Sequence, residues 1–336
     1  MRSQRLLVLV LVTAVIVATV ALLPYSSLFG KPSELRHVRF VLNFGALDGH
    51  HVPYFAALSK GFFRDEGISL EVIPGKNSPY AVELVTTGKA DLGLATLDVV
   101  LSAVSRGAKL SVVFQVFREN PAGLFVIKGS GVRSLADLQG KTVGALIGST
   151  QDLQFDVLFK RQGLKSESVN KVNIGSDVVT PLASRRVDAV VGWVTDLATF
   201  KREGIDVEFI RFSDLGLNYP SLVIFGNEEY VKANADVVKR FLEAVRRGIV
   251  WAYSNKEQAV DTAMSYRDYN PPAHREVLLE RFLIGLELMG AKDPTKLGVI
   301  EREALIGLSR LLVEAGKLSR EVRPEEVIND VVAGSR

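Results

Sequence analysis

The stretch that decides the fold runs His51-Val52-Pro53-Tyr54-Phe55-Ala56-Ala57-Leu58-Ser59-Lys60-Gly61-Phe62-Phe63-Arg64-Asp65-Glu66-Gly67-Ile68-Ser69-Leu70-Glu71. An apolar run, Val38 to Asn43, precedes it, and its end merges into another, Leu70 to Ile73. Pro53 suits the first turn of a helix, where a missing N–H costs nothing. Gly61 is the matching stop signal, and a short amphipathic turn leads into the next strand. Strand, loop, helix, turn and strand in this order make the first unit of a parallel α/β sheet.

The same alternation continues outward from this unit. Strands are expected near 38–43, 69–73, 91–95, 110–117, 123–127, 142–146, 169–174, 187–192, 206–210 and 221–225. Helices are expected at 53–60, 79–87, 98–106, 134–138, 151–162, 177–184, 194–203 and 228–253, with a mostly helical remainder. An internal echo points to two similar halves. Leu84 to Ala95, with Lys89-Ala90-Asp91, and Leu182 to Gly192, with Arg186-Val187-Asp188, each give a helix end, a basic turn, Asp and a buried strand. The reading is therefore an α/β protein with two lobes. Residues 1–35 form a terminal segment and linker, 36–122 the first part of lobe 1, 123–218 lobe 2, and 219–336 the return to lobe 1 with a helical tail. Two crossings between lobes make a hinge for closure around a ligand.

Composition narrows the function. The 336 residues are 47% hydrophobic and 24% charged, with formal net charge +3 and no cysteine. That excludes disulfides, thiolate metal sites and cysteine nucleophiles. Arg2 and Arg5 precede the first apolar run, and the rest of the chain is close to neutral without a basic cluster. Nucleic acid is not an expected partner. Leu6 to Leu23 is an unbroken apolar run of 18 residues. It fits a membrane anchor nearly long enough for ~30 Å of hydrocarbon, or the core of a cleaved signal peptide. Either way the positive flank stays cytoplasmic and the body lies outside, periplasmic or at the cell surface.

Ligands of open parallel sheets sit beyond the carboxyl ends of the strands. That rule nominates Asn43, Phe44, Asp48, His50 and His51 after the first strand, Lys76, Asn77 and Ser78 after the second, and Thr96 and Asp98 after the third. In the second lobe it nominates Gly148, Ser149, Thr150, Gln151, Trp193, Thr195 and Asp196, with Asn218 and Tyr219 at the return crossing. Gly148-Ser149-Thr150-Gln151 can cap a helix and leave N–H groups for an anion. Phe44, Trp193 and Tyr219 can stack on a flat ligand. His50 and His51 are adjacent, so in an extended loop they point opposite ways and do not make a metal site. Gly140-Lys141-Thr142 lacks the leading glycine of a phosphate loop, and no protease, hydrolase or dinucleotide fingerprint is present. No cofactor and no metal is implied.

Taken together in this order, several stretches carry a family resemblance. They are Leu42-Asn43-Phe44, the 51–71 stretch, Thr87 to Gly93, Ser134 to Gly144 and the helix from Asn227 to Tyr253. They resemble the bacterial thiamine-precursor, nitrate and sulfonate binding proteins, a family that also holds fungal thiamine-pyrimidine synthases. The resemblance implies a type II periplasmic-binding fold with parallel-dominated sheets and a double-crossing hinge. It also implies a monomer that captures a small-molecule ligand and passes it to the permease of an ABC importer. His51-Val52-Pro53 looks closer to the thiamine-pyrimidine branch, where Asn43, Phe44, His51 and Trp193 would hold a planar pyrimidine. Three features depart from that branch, one of them Val194, near whose position it often has an acidic residue. Phe44 stands where it usually has Trp, and Gly148-Ser149-Thr150-Gln151 looks like the anion loop of the sulfonate branch. The ligand stays open between a heterocycle and a sulfonate, taurine or nitrate-type anion. The synthases supply the enzymatic rival. His51 falls in their histidine region, but this chain has no cysteine for their cysteine-rich iron motif.

Overall fold

The computed structural model describes residues 35–333. The apolar run at 6–23, expected to anchor or be cleaved, lies outside them. Among the described residues no helix is long and apolar enough to cross a membrane.

The described strands form two five-stranded sheets. They are β1 Arg36–Val41, β2 Ile68–Ile73, β3 Leu92–Thr96, β4 Leu110–Gln115, β5 Ala122–Ile127, β6 Thr142–Ala145, β7 Asn170–Asn173, β8 Ala189–Trp193, β9 Val207–Arg211 and β10 Leu222–Asn227. The first sheet has the order β2-β1-β3-β10-β4 and the second β7-β6-β8-β5-β9. The α/β fold is the one expected, but the sheets are mixed rather than predominantly parallel. β1 and β3 pair in parallel, as do β6 with β7 and β8. β10 runs antiparallel to β3 and β4, and β5 antiparallel to β8 and β9. Strand–helix alternation registers local crossovers only, so it misses a strand that arrives from the other sheet.

The sequence echo has a structural counterpart. β1, β2 and β3 occupy the same places in their sheet as β6, β7 and β8 in theirs. Asp91 and Asp188, the acidic residues of the echo, do the same work. The Asp91 carboxylate accepts from the Arg39 N–H at 2.8 Å and its own N–H donates to the Arg39 carbonyl at 2.9 Å. Asp188 accepts from the Thr142 N–H at 2.8 Å and donates to the Thr142 carbonyl at 2.8 Å. Each aspartate thus pins the neighbouring strand, Asp91 at the middle of β1 and Asp188 at the start of β6.

The chain leaves the first sheet between β4 and β5 and returns between β9 and β10. The two crossings lie side by side. Val116 N–H donates to the Leu222 carbonyl at 2.8 Å, and the Asn120 side-chain amide to the Leu217 carbonyl at 2.8 Å. β3 is buried along its whole length and β10 nearly so, as suits strands covered on both faces. The helix Val52–Ser59 covers one face of the first sheet and packs against the helix Ala235–Ser254. Gly248 permits that approach, since a Cβ there would sit 2.6 Å from the Pro53 carbonyl oxygen.

The single helix expected at 228–253 is two, Glu228–Ala233 and Ala235–Ser254. Asn234 breaks it at φ −124°, ψ 34°, and its side chain donates to the Tyr230 carbonyl at 3.0 Å. The apolar period carries through the break, so pattern alone did not show it; side-chain competition for the backbone did. The segment expected as a helix at 134–138 is a 3-10 turn, Leu135–Leu138. The helix Arg275–Met289 packs against both the Gly49–His51 turn and the helix Leu197–Arg202, touching elements attached to both sheets.

Candidate functional site

Between the sheets the structure assembles two polar clusters. The first grows from the end of β1. Gly49–His51 is a 3-10 turn, so the adjacent histidines do not splay as an extended loop would make them. Their ring centroids lie 4.0 Å apart, and both Nε2 atoms meet the Asn43 Oδ1, at 3.1 Å from His50 and 2.9 Å from His51. His51 Nδ1 accepts the Asp48 N–H at 3.1 Å. Its Nε2 therefore carries the proton, and this fixes the Asn43 amide with its oxygen toward the rings. His50 Nε2 then also faces an acceptor, while its Nδ1 faces the Asp48 carboxylate at 3.2 Å. The ring is placed to carry a proton on each nitrogen.

Burial is severe here: His51 is fully buried and His50 is 3% exposed. Burial drives the His51 proton affinity well below the usual imidazole range, and the charge on His50 adds to this. Burial alone would raise the Asp48 carboxyl. The hydrogen bond and charge of His50, with Arg281, outweigh it and hold the group well below the usual range.

Arg281, on the helix Arg275–Met289, reaches from this cluster to the second sheet. Its Nη1 donates to Asp48 Oδ2 at 2.9 Å and its Nη2 to Thr199 Oγ1 at 3.1 Å, with Asp196 Oδ1 at 3.6 Å. Asp196 accepts the Trp193 N–H at 3.1 Å. Burial pushes the Asp196 carboxyl up to about 6, against the opposing pull of Arg281. The half-buried Trp193 ring stands 6.3 Å from His50 and 6.2 Å from Phe117, so three flat groups converge.

The second cluster joins the sheets directly. Thr150, at the start of the helix Thr150–Arg161, donates from Oγ1 to Asp98 Oδ2 at 2.8 Å. Burial raises the Asp98 carboxyl, and hydrogen bonds from Thr150 and Thr96 pull partly against it. Ser78 Oγ accepts the Thr96 N–H at 3.1 Å. Tyr219 is 6% exposed, and burial together with the Asp98 charge holds its phenol well above the ordinary range.

The sequence-nominated residues divide accordingly. Asn43, Asp48, His51 and Trp193 belong to the first cluster; Ser78, Thr96, Asp98, Thr150 and Tyr219 belong to the second. Asn77 caps the helix Ser78–Thr86 by accepting the Tyr80 N–H at 2.9 Å, and Phe44 stands 45% exposed on its loop. Ser149 caps its helix by accepting the Asp152 N–H at 3.3 Å, while Gln151 lies half-buried in the first turn. The Gly148 N–H, expected to help receive an anion, already donates to Asp152 Oδ2 at 2.9 Å. Asp152 is also paired with Lys171 at 2.6 Å. His50, Phe117 and Arg281 complete the first cluster. Arg281 lies on a distant helix and left no local signal. Position after the first strand nominates His50, and its ring does face Asp48. An open cavity of about 750 Å³ adjoins Arg281, Asp196 and Thr199, along the 176–184 segment. Of the sequence-nominated residues, Asp196 lines it. Among the described residues no group of three or more His, Asp or Glu side chains is arranged to hold a metal ion.

Comparison with known proteins agrees with this architecture. Residues 48–259 match the family described as NMT1/THI5 like, and the chain belongs to that family. It is 26% identical over 258 residues to the 4-amino-5-hydroxymethyl-2-methylpyrimidine phosphate synthase THI5 of Saccharomyces cerevisiae, covering 73% of this chain and 74% of the relative. It is 27% identical over 243 residues to the formylaminopyrimidine-binding protein of Halalkalibacterium halodurans, covering 71% and 74%. Among solved structures, the periplasmic aliphatic sulphonate binding protein SsuA of Escherichia coli superposes with a TM-score of 0.72 at 17% identity, over 89% of this chain and 99% of that one. The protein therefore has the periplasmic-binding-protein fold that the family resemblance implied.

Proposed function

We propose that the protein is the extracytoplasmic solute-binding component of an ABC importer, and that it captures a thiamine-pyrimidine precursor or a similar flat heterocycle between two lobes. One observation carries this reading: the buried Asp98 carboxylate, attached to the first sheet, meets Thr150 of the second at 2.8 Å. Its side-chain partners are the hydroxyls of Thr150 and Thr96. A buried carboxylate met by hydroxyls is suited to accept from the exocyclic amino group of an aminopyrimidine. Trp193 supplies a flat face, and Asn43, Phe44 and Gln151 complete the set of ligand-facing groups in this reading. A relative named as a formylaminopyrimidine-binding protein supports the same ligand class. The anion reading is weaker, because Asp98 and Asp152 place negative charge on both sides of the Ser149–Thr150 turn.

In this reading the lobes are the two sheets with their helices, with boundaries at 36–122, 123–218 and 219–336. The chain works as a monomer, residues 6–23 hold it at the membrane or are removed, and the partner is the permease. The ligand is released unchanged, in contrast to the relatives named as synthases.

The test is thermal unfolding of the purified protein with aminopyrimidine precursors, taurine, alkanesulfonates and nitrate, followed by recovery of the ligand. A ligand at 100 times its dissociation constant adds about 2.7 kcal/mol, a readable shift in midpoint. A shift with a pyrimidine, recovered chemically intact, supports the proposal. A shift confined to sulfonates, or a chemically altered pyrimidine, overturns it.

A further inference from the structure

Asn120 lies in the first crossing, between β4 and β5, and both of its amide protons are engaged. Nδ2 donates one to the Leu217 carbonyl of the second crossing at 2.8 Å and the other to Gln154 Oε1 at 3.1 Å. Its Oδ1 accepts the Ala122 N–H, at the start of β5, at 3.1 Å. One side chain thus ties both crossings to the helix Thr150–Arg161 of the second sheet. Asn120 and Gln154 are 1% and 3% exposed, so neither amide has bulk water as an alternative partner.

Gln154 shares a helix face with Thr150, four residues back and about 6 Å along the axis. Arg161, seven residues further on, returns to the same face and pairs with Glu314 at 3.1 Å, at the end of the helix Arg302–Glu314. The helix is therefore held at three points along one face: Asp98 by Thr150, the crossing by Gln154, and Glu314 by Arg161. The last of these is exposed and holds weakly. The middle one is buried, and a satisfied buried network stiffens the elements it joins.

The start of the helix is itself stiff. Ser149 accepts the Asp152 N–H at 3.3 Å, and the Asp152 carboxylate accepts the Gly148 N–H at 2.9 Å. Thr150 consequently moves with the helix. A tilt of about 10° pivoting at Gln154 would displace Thr150 by about 1 Å, enough to take its bond to Asp98 out of hydrogen-bond range. We infer that Asn120 is a positioning residue of the ligand site: through Gln154 it seats the helix Thr150–Arg161 on the crossings, and so fixes where the Thr150 hydroxyl meets Asp98. In the proposed function that contact belongs to the ligand site, and the positioning role rests on that reading, whichever ligand is bound.

The test is a double-mutant cycle, read by urea unfolding of the unliganded protein at pH 7. Thr150→Val is introduced into the wild type and into Gln154→Met, which keeps the length of the side chain and removes its oxygen. Thr150→Val is expected to lower the wild-type urea midpoint and to have at most half that effect in Gln154→Met. Arg161→Gln loosens the exposed end of the same face and is expected to leave the Thr150→Val effect unchanged. Should Gln154→Met not fold, Asn120→Ser carries the same cycle, because a serine hydroxyl still accepts the N–H two residues on but is too short to reach Gln154. Equal effects of Thr150→Val with and without the Asn120–Gln154 bond would show a purely structural amide pair and overturn the positioning role. So would a wild type indifferent to Thr150→Val, or an Arg161→Gln background that abolishes its effect. No ligand enters the cycle, so its result and that of the ligand panel stand or fall separately.

Discussion

Replacing Asp48 by Asn tests the electrostatic account of the first cluster. The carboxylate accepts from Arg281 Nη1 at 2.9 Å and faces His50 Nδ1 at 3.2 Å. An amide has one oxygen for these two donors, so its NH2 group must point at one of them. Breaking a buried pair by removing one partner costs about 3–5 kcal/mol. Asp48 and Arg281 retain 15% and 23% side-chain exposure, and Arg281 can swing toward Asp196, so the expected loss is about 2 kcal/mol. The pH dependence gives the sharper signature. The folded protein holds the Asp48 carboxyl well below its ordinary value of 3.8. Its contribution is therefore fully present above the ordinary carboxylate value and is lost as pH falls toward the depressed folded value. Urea unfolding of wild type and Asp48→Asn should differ by about 2 kcal/mol at pH 7 and converge below about pH 4. A difference under ~0.5 kcal/mol at pH 7, or one that widens in acid, would refute the reasoning.

Three further outcomes follow from the same geometry. Gly49→Ala should cost about 1–3 kcal/mol of unfolding free energy, because its Cβ would meet the Arg281 and Phe282 backbone at 2.3 Å; urea unfolding at wild-type stability would show that the turn and helix yield. Thr150→Val removes a donor to buried Asp98, whose raised carboxyl already opposes folding as pH rises. The stability deficit, about 1–3 kcal/mol, should be larger at pH 7 than at pH 4, and equal deficits in denaturant unfolding would count against it. Trp193→Ala should weaken whichever flat ligand shifts the wild-type midpoint by about 1 kcal/mol or more, read by calorimetry; unchanged affinity would remove Trp193 from the site.

Much of the fold was legible in the sequence because strands buried on both faces write continuous apolar runs. All ten strands fall where expected, with ends shifted by at most three residues. The echo around Asp91 and Asp188 was legible as well, since each aspartate serves a strand close by in its own sheet. Strand direction was not, because β5 and β10 owe theirs to the crossings between sheets. Position after a strand drew attention to Asn43, Asp48 and Asp98, which the structure places in the two polar clusters. It did not reveal that a 3-10 turn would bring His50 and His51 onto one oxygen, which depends on dihedrals that apolar periodicity does not encode. Arg281 lies 233 residues from its partner Asp48, and only the packed structure relates them. The Gly148–Ser149–Thr150 turn was read as open to an anion, but a side chain two residues beyond the turn, Asp152, folded back to fill it.

The placement of β10 has a consequence for synthesis on the ribosome. β4 is an edge strand whose neighbour in the sheet is β10, and its isolated bridges reach still later, to Gly298 and Ile328. A nascent chain that has emerged only as far as Phe212 holds every strand of the second sheet, yet leaves β3 and β4 with bare edges in the first. Unpaired edges invite intermolecular pairing, and the delay lasts until residues 222–227 appear. The second sheet is thus able to form first, and a chain released before β10 is made is expected to aggregate through the unfinished half.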